Sequence, residues 1–299
     1  MKLRTSHKFS FGIVLFCAVL SLSFFFVTSP IALQKILSLK TYSDEVTLYN
    51  SEFQLNQSNE ISDFINSIPY RDNPSSSWFV DPQLKYQDTI LSGNGNCSNL
   101  AFGGMYAFIQ SKKQAAIIHL LGKDYRFLSG NGHTVLSVNV EDNNIVLDVL
   151  EGGIPIQNEN YIDAQNFSYD ANDVFTHRVL SDRKDGQNRY FTNEYLQGIV
   201  FGSIPQSEIA DYFNFLDKIY VPLGNIYAEK LIFDTLAFVF GFYPNTYVDE
   251  TFFWNTYYDN KLVVFFAYLF LVSFHLLYLL VFFFILQGVV IFYIDKKKT

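Results

Sequence analysis

Residues 92–110, SGNGNCSNLAFGGMYAFIQ, and residues 132–150, GHTVLSVNVEDNNIVLDVL, decide what kind of fold this chain adopts. In the first, Gly95 and Asn96 act as breakers. From Cys97 onward Leu100, Ala101, Gly104, Met105, Phe108 and Ile109 recur at three- and four-residue spacing, which predicts a helix beginning at the cysteine. In the second, Val135, Ser137 and Asn139 alternate with Leu136, Val138 and Val140, the period of a strand. Glu141-Asp142-Asn143-Asn144 reads as a hairpin turn into a further strand over 145–150, and the apolar run at 115–121 as a buried strand. A helix followed by a strand hairpin is an α+β order.

Outward from this core the signals thin. Ile61, Phe64, Ile65 and Ile68 share one helical face, and 72–77 is a loop. Beyond it, 174–180 reads as a strand, 182–188 as a charged loop, and 207–216 as a helix with Ser207 as its N-cap. Residues 31–40 read as a short membrane-proximal helix. The aromatic stretch 226–261, with Trp254 near its end, reads as lying against a membrane surface, because Trp and Tyr favour the headgroup zone.

Both ends are apolar. Residues 10–28 and 262–294 contain no charge, and a bilayer core needs about 20 such residues as helix. The exit Val27-Thr28-Ser29-Pro30 matches a signal-peptidase site poorly, so an uncleaved anchor is expected, with a cleaved signal peptide as the alternative. Lys2, Arg4 and Lys8 precede the first span, and Lys296, Lys297 and Lys298 follow the second. Basic flanks stay inside, so 1–9 and 295–299 read as cytoplasmic tails and the middle as extracytoplasmic. Setting aside those six residues and Asp295 leaves 15 basic against 28 acidic, which disfavours nucleic acid as a partner. The lipid bilayer itself is the expected partner, and a bacterial inner membrane the expected location.

Cys17 falls in the first apolar segment, so Cys97 is the single thiol of the soluble part. An unpaired thiol is a liability in an oxidising compartment unless it does chemistry. At a helix start it meets partial positive charge, and an imidazole nearby would favour the thiolate further. His133 heads one strand and Asp148 lies on its neighbour, where a carboxylate could orient the ring. A simple hairpin about 141–144 puts residue 148 opposite a position near 137, so His133 and Asp148 are not direct cross-strand partners in that register. His119 and His177 read as core side chains, and His275 as a polar contact inside the second span. No Cys/His cluster has zinc spacing, and no glycine run forms a phosphate loop.

Taken together, Gly95-Asn96-Cys97-Ser98-Asn99-Leu100-Ala101, Gly132-His133-Thr134-Val135-Leu136-Ser137-Val138 and Ile145-Val146-Leu147-Asp148 resemble the transglutaminase-like superfamily, whose core is related to the papain-like fold. The resemblance covers residues 90–153. It implies an α+β core of a helix packed on an antiparallel sheet over 91–225, preceded by a leading segment at 29–90. It implies Cys97 as nucleophile, His133 as general base and acid, Asp148 as the orienting carboxylate, and no cofactor. Oxyanion donors would be the Cys97 amide and a side chain from Asn96, Gln87 or Gln83. Val135 stands where many members carry an aromatic residue, and Val149 where a small turn residue or proline is common, which bears on substrate binding.

The expected activity is acyl transfer or amide hydrolysis through a thioester, on a peptide or an amine- or amide-bearing envelope substrate. Two alternatives stand beside it. One is a catalytically inactive binding or assembly module of the cell envelope with envelope protein partners. The other is a papain- or NlpC-like cysteine peptidase, against which Asp148 argues because the third polar group there is often histidine or asparagine.

Overall fold

The computed structural model describes residues 8, 10–16, 30–42, 97–110, 112–122, 132–140, 143–164, 167–180, 189–221 and 226–296. The chain divides into two compact units, Ser38–Thr256 and a second formed by Met1–Leu37 with Tyr257–Thr299. Its elements in order are α1 (Pro30–Leu37), β1 (Leu39–Thr41), α2 (Cys97–Gln110), β2 (Ala115–Gly122), β3 (Gly132–Val140), β4 (Asn143–Leu147), β5 (Gly153–Gln157), β6 (Asn160–Tyr161), β7 (Phe175–Val179), α3 (Asn193–Leu196), β8 (Ile199–Ile204), α4 (Gln206–Ile219), α5 (Ile226–Val239), β9 (Thr246–Val248), α6 (Glu250–Asp259) and α7 (Lys261–Lys296). This is a mixed α and β architecture, as the helix-then-hairpin order predicts.

The larger unit is built on a six-stranded mixed sheet in the order β1-β9-β8-β2-β3-β4. Only β1 and β9 run parallel; the other pairs are antiparallel. Both faces of the central strands are buried, as their apolar content requires. Ile117, Leu136, Val138 and Leu147 point to one side, where α2 (Leu100, Met105), α4 (Ile209, Phe213) and α5 (Phe233, Ala237) complete a cluster. Ile118, Leu120, Val135 and Val146 point to the other, against Ile162, Phe191, Leu196 and Phe201. Gln206, fully buried, ties the start of α4 to β2 by donating to the Lys113 carbonyl at 2.7 Å. A smaller sheet, β6-β5-β7, follows from the end of β4.

Four expectations change. The hairpin pairs Val140 with Asn143 and Leu136 with Leu147, so the turn is two residues tighter than 141–144 and Asp148 falls level with Val135 rather than 137. The strand ends at Leu147 instead of running to 150, because the chain turns back at Asp148 to bridge Gly153. Helix α4 starts one residue before Ser207: Pro205 is its N-cap, with no side-chain cap bond. The helix expected over 31–40 stops at Leu37, since Leu39, Lys40 and Thr41 pair with Thr246, Tyr247 and Val248. The sheet therefore draws on residues on both sides of 91–225.

In the second unit Tyr257 donates its hydroxyl to the Ile36 carbonyl at 3.0 Å, and Phe11 meets Phe284 with ring centroids 5.6 Å apart. Among the described residues one helix is long and apolar enough to cross a membrane: Lys261–Val290, with mean hydropathy 2.7. At 1.5 Å per residue its 36-residue parent α7 measures about 54 Å, well over the roughly 30 Å of a hydrocarbon core. Of the other apolar segment, residues 10–16 are helical and 17–28 lie outside the described residues, as does the helical face at 61–68.

Candidate active site

Three elements deliver three side chains to one point. Helix α2 begins at Cys97, so the sulfur sits where unpaired amides give partial positive charge. His133 is the second residue of β3, paired with Leu120 of β2. Asp148 leaves β4 level with Val135, and paired residues of antiparallel strands share a face, so its carboxylate points to the side that His133 occupies. The tighter register is what brings the two within reach, with no bulge needed.

His133 and Asp148 are 1% and 0% exposed, and His133 Nε2 lies 2.7 Å from Asp148 Oδ2. The other carboxylate oxygen accepts from the backbone amides of Leu150 and Glu151, both at 3.0 Å. The turn behind it is closed by Gly152 and Gly153 amides donating to the Asp148 carbonyl at 2.9 and 3.1 Å. Gly152 has φ of 70°, a backbone region that disfavours other residues. A Cβ on Gly153 would strike the His177 ring and the Arg178 carbonyl. Burial pushes the Asp148 carboxyl up, but the His133 charge and hydrogen bond and the Glu151 amide outweigh it and hold it below the usual carboxylate value.

An ionised Asp148 takes the Nε2 proton as its hydrogen-bond donor, which leaves Nδ1 to face the thiol. Nδ1 is buried and has no hydrogen bond of ordinary geometry among the described residues. The ring also couples to Cys97, a free and half-buried thiol. Burial pushes the thiol up, but the neighbouring His133 ring and the Thr134 amide bring it below the ordinary 9.0. For His133 burial opposes the charged form, yet the Asp148 charge and hydrogen bond, with Cys97 behind them, raise the ring to about 9. Both shifts run in the direction of an imidazolium beside a thiolate.

Around this pair lie groups the sequence did not single out. Tyr190 stacks on the His133 ring, centroids 3.7 Å apart and planes 8° from parallel, and Tyr195 meets Tyr190 edge-on at 5.2 Å. Arg189 donates to Glu151 Oε1 from Nε at 2.9 Å and from Nη2 at 2.8 Å. No spacing rule links Tyr190 to residues 40 or more positions away, such as His133 and Asp148, so Tyr190 carried no local signal. His119 bonds Thr134 Oγ1 through Nδ1 at 3.0 Å and stays a strand side chain. His177 sits on β7 against Gly153, and its charge helps lower Asp148. His275 donates from Nδ1 to the Leu271 carbonyl of its own helix at 2.8 Å. Asn96, Gln87 and Gln83 lie outside the described residues. No group of His, Cys, Asp and Glu among the described residues is arranged to hold a metal.

Comparison with family models, with curated proteins and with solved structures returns no match for this chain.

Proposed function

We propose that this chain is a membrane-anchored, extracytoplasmic cysteine enzyme of transglutaminase-like type that performs acyl transfer or amide hydrolysis through a thioester. The observation that supports it is the buried 2.7 Å bond between His133 Nε2 and Asp148 Oδ2, on a ring that also couples to the thiol at the start of a helix. The Cys97 thiolate attacks an amide or ester carbonyl carbon, and the new oxyanion faces the Cys97 amide. As the tetrahedral species collapses, the C–N or C–O bond breaks and His133 passes its Nδ1 proton to the leaving group. Neutral His133 then takes a proton from water or an amine as that nucleophile attacks the thioester, and the thiolate leaves. Asp148 keeps the ring in one tautomer throughout and stays ionised. The helix Lys261–Lys296 serves as an anchor, with 10–28 as the second span and both tails cytoplasmic; the basic flanks support this orientation.

A generic acyl donor tests the chemistry. Full-length protein in detergent, mixed with p-nitrophenyl acetate, should release nitrophenolate in a burst and gain an acetyl group on Cys97 by mass spectrometry. Cys97→Ala should lose both while keeping its circular dichroism. A wild-type protein that acquires no acyl group on Cys97 refutes the proposal.

A further inference from the structure

The His133–Asp148 pair is enclosed by a short strap, residues 189–191, each member of which does something different. Phe191 is fully buried in the core beside Val135 and Val146 and fixes the strap to the sheet. Arg189 reaches Glu151, whose own backbone amide is one of the two that hold Asp148. Between them, Tyr190 lies flat on the imidazole. The ring is thus bounded on one edge by a carboxylate, on the other by the thiol, and on one face by an aromatic plane. The strap and the carboxylate are tied to the same turn. We propose that Tyr190 is a positioning residue for His133, holding the ring in plane with Asp148 and Cys97 and keeping water off its face, and that the Arg189–Glu151 pair holds Tyr190 there.

The physical case has three parts. A buried ring held by one hydrogen bond can still rotate about its side-chain bonds, and a parallel partner at 3.7 Å restricts that swing. The negative π face of Tyr190 attracts an imidazolium more than a neutral ring. Excluding water from the face also strengthens the pull of Asp148 and Cys97 on the ring's charge. Desolvation works the other way, but the ring stays charged to about 9 despite its burial, so the attractions win. The edge-on Tyr195 in turn keeps Tyr190 from tilting. Among the described residues, the charged and titratable groups around the ring are Cys97 at the helix start, Asp148 with His177 behind it, Glu151 with Arg189, and the two tyrosines.

This inference rests on the thiol–imidazole reading above, and the test separates the two. The rate of Cys97 alkylation by iodoacetamide is measured against pH for full-length protein in detergent. Tyr190→Ala should slow it near pH 6.5 by about tenfold and move its acid limb up by about one unit, towards 9.0. Tyr190→Phe keeps the plane and should restore the wild-type profile. Glu151→Gln keeps the amide serving Asp148 and loses only the charge that binds Arg189. It should cost about threefold, the size of one half-exposed ion pair. If Tyr190→Ala does not fold, Glu151→Gln and Tyr190→Leu decide the matter. Unchanged profiles in the folded variants, or a Tyr190→Phe profile as poor as that of Tyr190→Ala, overturn the positioning role. A wild-type thiol that is not activated overturns the enzyme reading instead.

Discussion

Replacing Asp148 by Asn should disarm the thiol without disturbing the fold around it. The site offers the residue-148 side chain three donors, from His133 Nε2 and the amides of Leu150 and Glu151. An amide has only one oxygen to accept them. Its NH2 must face a donor, or force the ring to put its proton on Nδ1, the wrong tautomer for taking one from the thiol. The charge that does most to raise His133 to about 9 is gone, while the burial that opposes protonation remains, so the ring should fall back towards 6.5. That change is worth about 3 kcal/mol of lost ion-pair stabilisation. Without imidazolium the thiol returns to 9.0 or above and is ~1% ionised near neutrality. A more basic thiolate is intrinsically more reactive, which offsets part of the loss. The expected outcome is a fall of roughly ten- to a hundredfold in iodoacetamide alkylation of Cys97 near neutral pH, with circular dichroism unchanged. A folded Asp148→Asn protein that alkylates within about twofold of wild type would refute the account of how the thiol is activated.

Linkage gives a second, opposite-looking signature. In the native pair the raised His133 and the lowered Cys97 act oppositely: the ring's contribution falls as pH rises above its unfolded 6.5, while the thiol's grows towards its unfolded 9.0. In Cys97→Ala the ring alone remains. A group whose folded value is raised contributes fully below its unfolded 6.5 and loses that contribution as pH rises towards the folded value. Melting curves of this variant should therefore show stability falling over that window by at most about 3 kcal/mol, more steeply than in wild type, where the lowered thiol offsets part of the loss. Leu136→Ala removes a fully buried side chain between α2 and the sheet, and chemical denaturation should show a loss of about 2–5 kcal/mol. A membrane-impermeant maleimide added to intact spheroplasts should label Cys97; labelling seen only after lysis would reverse the proposed orientation.

Where local periodicity governs, the sequence spoke clearly. The helix from Cys97, the strands at 115–122 and 132–140 and the hairpin between Val140 and Asn143 all follow from spacing and turn chemistry. The hairpin register did not, because four consecutive polar residues at 141–144 fit a wider loop equally well, and two of them joined the strand. The outer sheet strands were illegible for another reason. Leu39–Thr41 and Thr246–Val248 are three residues each, too short to show a period, and the sole strand partner of Leu39–Thr41 among the described residues lies some 200 positions away. Asp234 looks out of place in the apolar run of α5, yet it is buried and accepts from Tyr212 at 2.6 Å. That contact joins α4 and α5 in a way no one-dimensional pattern reports. The Tyr190 stack on His133 is of the same kind: its partner is fixed by Phe191 and the core, not by spacing.

The most direct measurement is the ultraviolet titration of the Cys97 thiolate in the wild-type protein, taken as the difference from Cys97→Ala across the pH range. The account predicts a thiolate transition displaced below 9.0, and a second small step as His133 loses its proton near 9. A single thiol transition at 9.0 or above, with no second step, would contradict it.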